Sequence, residues 1–179
     1  MSRVLVPMAT AHATAFSDAE RQGAISHHIY NFMKTKSKIF QQSLHDENDL
    51  PARRVVKEFY ARIGIMLIDN PDKYGVDLIT EDDSLCVEVE RRMVWDTDEF
   101  PFADVNFLQR KVKFFDTKRY SLHEYAIVST SMKRIGICNE ETIMAIVKGT
   151  TPKESPNRFV NDSEYFYKIP KSKFFWFNV

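Results

Sequence analysis

The amino-acid sequence predicts a mixed α/β (α+β) fold in a single domain, residues 1–179, and three observations predict it. Two β-branched apolar runs flank the polar tetrapeptide EDDS, the signature of a β-hairpin. Helical spacing of apolar residues appears before this hairpin and again after it. EYAIVST, further on, reads as a buried strand. The order is helix, strand, hairpin, helix, strand, with an extra helix in front. Hairpin strands are antiparallel neighbours, so a fully parallel sheet is excluded and a small mixed sheet flanked by helices is expected.

The elements follow in order. Ser17 and Glu20 form a capping box that opens a helix over residues 17–34, with Ala24, Ile25, Ile29, Phe32 and Met33 at roughly helical spacing. His27 and His28 lie on that helix, but adjacent residues do not share a face, so they read as surface rather than as a metal pair. A polar stretch follows to residue 50 as a loop or short helix. A second helix begins after Pro51, carrying Val55, Val56, Phe59 and Ile63 on one side and ending at Gly64. IMLIDN is a short strand and NPDKYG a turn. After the hairpin, ADVNFLQRKVKFFD is expected to be helical, because Val105, Leu108, Val112 and Phe115 fall on one stripe. RIGICNEETIMAIV reads as a strand and then a helix begun near Asn139. The aromatic tail EYFYKIPKSKFFWFNV reads as a late strand or an arm packed on the body. The core spans about 51–130, between an N-terminal helix and loop (17–50) and a C-terminal extension (131–179).

Bulk properties exclude several classes. The 179 residues are 44% hydrophobic and 28% charged with zero formal net charge, so any polyanion site must be a local patch. Two cysteines far apart suit reduced thiols better than a disulfide scaffold. The five glycines form neither G-x-G-x-x-G nor a Walker pattern. No apolar run approaches the ~18 residues of a membrane span, so a soluble, cytoplasmic protein without a membrane partner is expected.

The hairpin contains a conflict. With Asp82 and Asp83 as a two-residue turn, Thr80 pairs with Leu85 and Asp77 lies opposite Glu88, with Glu90 two residues further along the same face. Like charges opposite one another destabilise a sheet. The register is nevertheless pinned. Val76, Leu78, Leu85, Val87 and Val89 share one face, while Asp77, Ile79, Cys86, Glu88 and Glu90 share the other, and a one-residue slip would expose the whole apolar set. A hard divalent cation between Asp77 and Glu88, with the Val89 carbonyl as a further ligand, resolves the crowding. Such an ion suits hydrolysis of a phosphodiester.

GVDL followed by CVEVE resembles the active-site hairpin of the PD-(D/E)XK nuclease superfamily, and the element order resembles its restriction-endonuclease-like core, αβββαβ. The resemblance implies Asp77 and Glu88 as ligands of Mg²⁺, with Mn²⁺ able to substitute, and Glu58 in the preceding helix as an additional acidic ligand. It also implies lysine where Glu90 stands, as glutamate does in some restriction endonucleases of the superfamily. Glu90 can only accept a proton or bind metal, so the missing positive charge falls to Arg92, Lys111 or Lys113. Asp77, Glu88, Glu90 and Arg92 are then the catalytic set.

The basic run Arg110, Lys111, Lys113, Lys118 and Arg119 is the expected contact to DNA phosphates, with RNA as a competing substrate; Phe114, Phe115 and Tyr120 lie among these residues as candidates for base stacking. A homodimer would suit the cutting of both strands. Two readings stay open beside the nuclease. The carboxylates could decorate a solvated hairpin face, or the scaffold could be an inactive nuclease fold that binds nucleic acid or protein. Cys86 reads as a small core-edge residue and Trp95 as packing.

Overall fold

Pro51 stands in the first turn of α1 (Leu50–Arg62), where its missing N–H costs nothing. The computed structural model describes residues 49–156 and 163–179, so the expected helix over 17–34 lies outside the described residues. Ala52, Val56 and Tyr60 are the buried residues of α1, with Val55 and Phe59 packed beside them, while Ile63 of the expected stripe is exposed. The helix ends as expected: Gly64 takes φ +83°, the left-handed conformation that glycine adopts without steric cost.

Strand β1 (Ile68–Asp69) pairs with β2 (Leu78–Ile79), and β2 pairs antiparallel with β3 (Leu85–Arg92). Leu78 faces Val87 and Ile79 faces Cys86, the register the alternation demanded, and the paired ladder ends there, one residue short of Asp77. The turn is wider than expected. The chain reverses through Glu81–Ser84, with the Asp83 N–H donating to the Thr80 carbonyl at 3.1 Å, Asp83 at φ +54°, and the Leu85 N–H donating to Thr80 Oγ1 at 3.0 Å.

The helix expected after the hairpin is not one. Asp104–Leu108 is a strand, β4, and Gln109–Phe114 a 3₁₀ turn. Val105 and Phe107 are buried and Asn106 between them is exposed, the period of a strand. Its partner comes from the far end of the chain. The order continues through β5 (Leu122–Ser129), β6 (Arg134–Asn139), α2 (Glu140–Gly149), β7 (Lys153–Pro156), β8 (Ser163–Pro170) and β9 (Phe175–Asn178). Strand β8 sets Ile169 opposite Val105 and Tyr167 opposite Phe107. The expected strand–helix junction is present, with the Asn139 side chain accepting the Thr142 N–H at 3.1 Å to cap α2.

The described residues form a mixed α/β arrangement with few helices and two sheets, ordered β1-β2-β3-β5-β6-β9 and β4-β8-β7. Only β3 and β5 run parallel in the larger sheet. Their connection, residues 93–121, is long enough for a crossover and carries β4 and the 3₁₀ turn in place of a helix.

Both faces of the large sheet are covered. Leu78, Leu85, Val87, Val89, Ala126 and Val128 pack with α1 on one side. Tyr125, Ile127 and Cys138 pack with Phe107, Phe115, Trp95 and Ile143 on the other. Val76 departs from its expected face and joins Ile79, Cys86 and Tyr120 in a smaller cluster. Trp95 is packing, fully buried and edge-on to Trp176 at 5.4 Å. Cys86 and Cys138 are free and buried, and burial pushes both thiols up to about 12. Among the described residues no helix is long and apolar enough to cross a membrane.

Candidate functional site

The site lies where β2 departs from β3. Beyond Leu78 the antiparallel ladder stops, so the Val89 N–H has no strand partner on that edge, and Asp77 Oδ2 accepts it at 2.7 Å. A strand residue that turns its N–H to one neighbour turns its carbonyl the same way, so the Val89 carbonyl faces this edge too. Asp77 Oδ1 accepts from the Arg53 guanidinium of α1, which also lies 3.9 Å from Asp69.

Glu88 and Glu90 share one cation. Lys111, on the 3₁₀ turn, sets Nζ 2.9 Å from Glu88 Oε1 and 3.2 Å from Glu90 Oε2. Glu90 has more partners: Arg92 at 3.0 Å, and the Tyr125 hydroxyl, which donates to it at 2.7 Å. Arg92 in turn donates to that hydroxyl at 2.7 Å and to the Asn106 carbonyl. Tyr125 is opposite Glu88 in the parallel β3–β5 ladder, which puts it on the same face.

Difference in partners separates the two glutamates. Burial pushes Glu88 up to about 7; Lys111 opposes this, while the charges of Asp77 and Glu90 reinforce it. Burial would raise Glu90 as well, but Arg92, then Lys111 and the Tyr125 hydrogen bond, outweigh it and hold Glu90 down to about 2. Asp77 is raised by burial, against Arg53, Lys111 and the Val89 N–H. Lys111 is kept protonated. Its burial would lower it, but Glu88 and Glu90 prevail. Glu88 and Lys111 are only 7% and 8% exposed at the side chain, so this is no solvated hairpin face.

The other expected residues separate. Glu58 is on the exposed side of α1, away from Ala52, Val56 and Tyr60, and Arg53 rather than Glu58 reaches Asp77. The basic run is divided. Lys111 turns inward, whereas Arg110, Lys113, Lys118 and Arg119 are exposed. Arg110 approaches Glu164 at 3.8 Å and Arg119 approaches Asp83 at 3.6 Å. Phe115 and Tyr120 are buried and cannot offer stacking faces to bases. Lys113 lies over the Phe114 ring. Arg53 and Tyr125 were not legible as site residues. For Tyr125 a signal existed, since a tyrosine in a buried aliphatic strand needs a partner for its hydroxyl.

Glu88 Oε2 is buried with no hydrogen-bond partner. This orphan oxygen, the Asp77 carboxylate whose charge acts on Glu88, and the Val89 carbonyl are hard-oxygen donors of the kind that suit Mg²⁺ or Mn²⁺. The protein ligands would be two carboxylates and a carbonyl, without Glu58. Among the described residues no three His, Cys, Asp or Glu side chains gather as an ion-binding group. In comparisons with known proteins, no family model matches the chain, and no curated protein matches it.

Proposed function

We propose that the protein is a metal-dependent nuclease that hydrolyses DNA phosphodiester bonds, acting as an endonuclease on a restriction-endonuclease-like core. One observation carries the reading: the Lys111 ammonium sits against Glu88 and Glu90. The resemblance to PD-(D/E)XK nucleases asks for a lysine at position 90, and Lys111 offers that charge from a different element. A Mg²⁺ held by Asp77, Glu88 and the Val89 carbonyl would supply Lewis-acid charge to the scissile phosphate and acidify a water. A protonated lysine is donor-only, so Lys111 accepts no proton. It donates to a phosphate oxygen as negative charge builds there. Glu90, tied to Arg92, Lys111 and Tyr125, holds the ammonium in place and has no free role as a base. Exposed Arg110, Lys113, Lys118 and Arg119 are the proposed phosphate contacts, and a two-fold dimer would cut both strands.

Supercoiled plasmid incubated with Mn²⁺ tests this. Nicking by the wild type should be lost in Glu88→Ala and in Lys111→Ala, with RNA as a competing substrate. Equal nicking by all three proteins would indicate a contaminant.

A second reading, a non-catalytic nucleic-acid- or protein-binding module on this scaffold, is favoured by the charge balance. Asp77, Glu88 and Glu90 are matched by Arg53, Lys111 and Arg92, so the cluster is electrically closed without an ion. Absence of nicking on plasmid, single strands and RNA, with no stabilisation by Mg²⁺ or Mn²⁺, would favour it.

A further inference from the structure

Arg53 has no place in the chemistry above, yet it holds the residue on which that chemistry depends. Its guanidinium pairs with Asp77 Oδ1 while the other Asp77 oxygen is taken by the Val89 N–H. The Arg53 side chain is only 16% exposed, so solvent weakens this pair little. Other acceptors are at hand. Asp69 Oδ1 is already 3.9 Å from the guanidinium, and its Oδ2 is held by Lys57 at 2.7 Å. The charge of Asp49, four residues before Arg53, also acts on Asp77.

We propose that Arg53 is a resident counter-cation that competes with the divalent ion for Asp77, so that the ion binds only as the guanidinium shifts towards Asp69. This rests on the metal reading of the Asp77–Glu88 edge. The electrostatic logic is direct. A unit positive charge in contact with a carboxylate opposes the arrival of a doubly positive one, and the opposition is strong where water is scarce. Glu88 Oε2, which lacks a hydrogen-bond partner, is the one oxygen of the pair the ion could take without displacing anything. Asp77 is where the competition occurs. Arg53 therefore positions Asp77 and sets the concentration at which the ion enters, and its own removal should tighten metal binding rather than weaken it.

That sign makes the test specific, because structural damage lowers metal affinity. Mn²⁺ binding to the full chain is measured by electron paramagnetic resonance of the free ion at low salt. The proteins are the wild type, Arg53→Met (which keeps the aliphatic stem), Arg53→Gln and Asp77→Asn, each checked for folding by circular dichroism. The expected result is Mn²⁺ affinity at least about tenfold higher in the folded Arg53 variants, the floor for removing a full charge in contact. Millimolar guanidinium should reverse the gain by refilling the vacated place. Unchanged or weaker binding in a folded Arg53 variant, with binding abolished in Asp77→Asn, would overturn the role of Arg53 alone. Binding that is absent throughout, or insensitive to Asp77→Asn, would overturn the metal reading with it. If Arg53→Met fails to fold, Arg53→Gln, which can still hydrogen-bond Asp77, decides.

Discussion

Replacing Lys111 with methionine probes the centre of the cluster. The stem is kept and the charge removed. Glu90 retains Arg92 and Tyr125, at 3.0 and 2.7 Å, so its surroundings change least. Glu88 loses the cation 2.9 Å away while its second oxygen is already unpartnered. Removing one member of a buried pair typically costs ~3–5 kcal/mol, because the remaining charge is left buried and uncompensated. Glu88 can escape that cost by taking up a proton, so the loss should depend on pH. At pH 8, one unit above about 7, that proton costs only about 1.4 kcal/mol, so with the lost hydrogen bond added we expect a loss of ~2–3 kcal/mol. At pH 5 the carboxyl is neutral and the loss should fall below ~2 kcal/mol, the scale of a lost hydrogen bond. Urea denaturation at both pH values, read as a midpoint shift at constant slope, measures this. The double variant Glu88→Gln/Lys111→Met should regain stability relative to Lys111→Met at pH 8. A loss below ~1 kcal/mol at pH 8, or an equal loss at both pH values, would refute the argument that Lys111 neutralises a buried Glu88.

The two glutamates of β3 should give the wild type opposite pH limbs. Glu88 titrates at about 7 folded against an ordinary 4.5, so the folded state holds the extra proton and stability falls as pH rises through that window. Glu90, held at about 2, contributes stability that is lost as pH falls from about 4.5 towards 2. Glu88→Gln should flatten the upper limb and Glu90→Gln the lower one in urea titrations. A Cβ at Gly136 would stand 2.5 Å from the Trp176 ring, so Gly136→Ala should cost ~1–3 kcal/mol and shift tryptophan emission as β9 is displaced. Both cysteines should resist a thiol reagent at pH 8 until denaturant is added, because burial pushes their thiols up to about 12. Rapid labelling of either would contradict their placement.

The hairpin was legible because its information is local. Strict alternation from Leu85 to Glu90 leaves one register that buries Leu85, Val87 and Val89 under α1, and that register pairs Leu78 with Val87. Gly64 and Asn139 marked a helix end and a helix start for equally local reasons, a left-handed φ and a side-chain cap. The segment 103–116 satisfies two periods, and the helical one is not the one it adopts. Val105, Leu108, Val112 and Phe115 suit a helix, but Val105 and Phe107 also suit a strand.

Alternation along β3 is a local property of the chain, so the order of residues alone already places Glu88 and Glu90 together on one face. Only the tertiary structure decided what relieves the crowding. Strand β8, more than fifty residues further along the chain, offered Ile169 and Tyr167 to Val105 and Phe107 and drew 104–108 into a strand. The 3₁₀ turn after it then carries Lys111 inward to Glu88 and Glu90, while Arg53 reaches Asp77 from α1. A buried charge takes its counter-charge from whichever element folding brings close, and spacing along the chain carries no record of that distance.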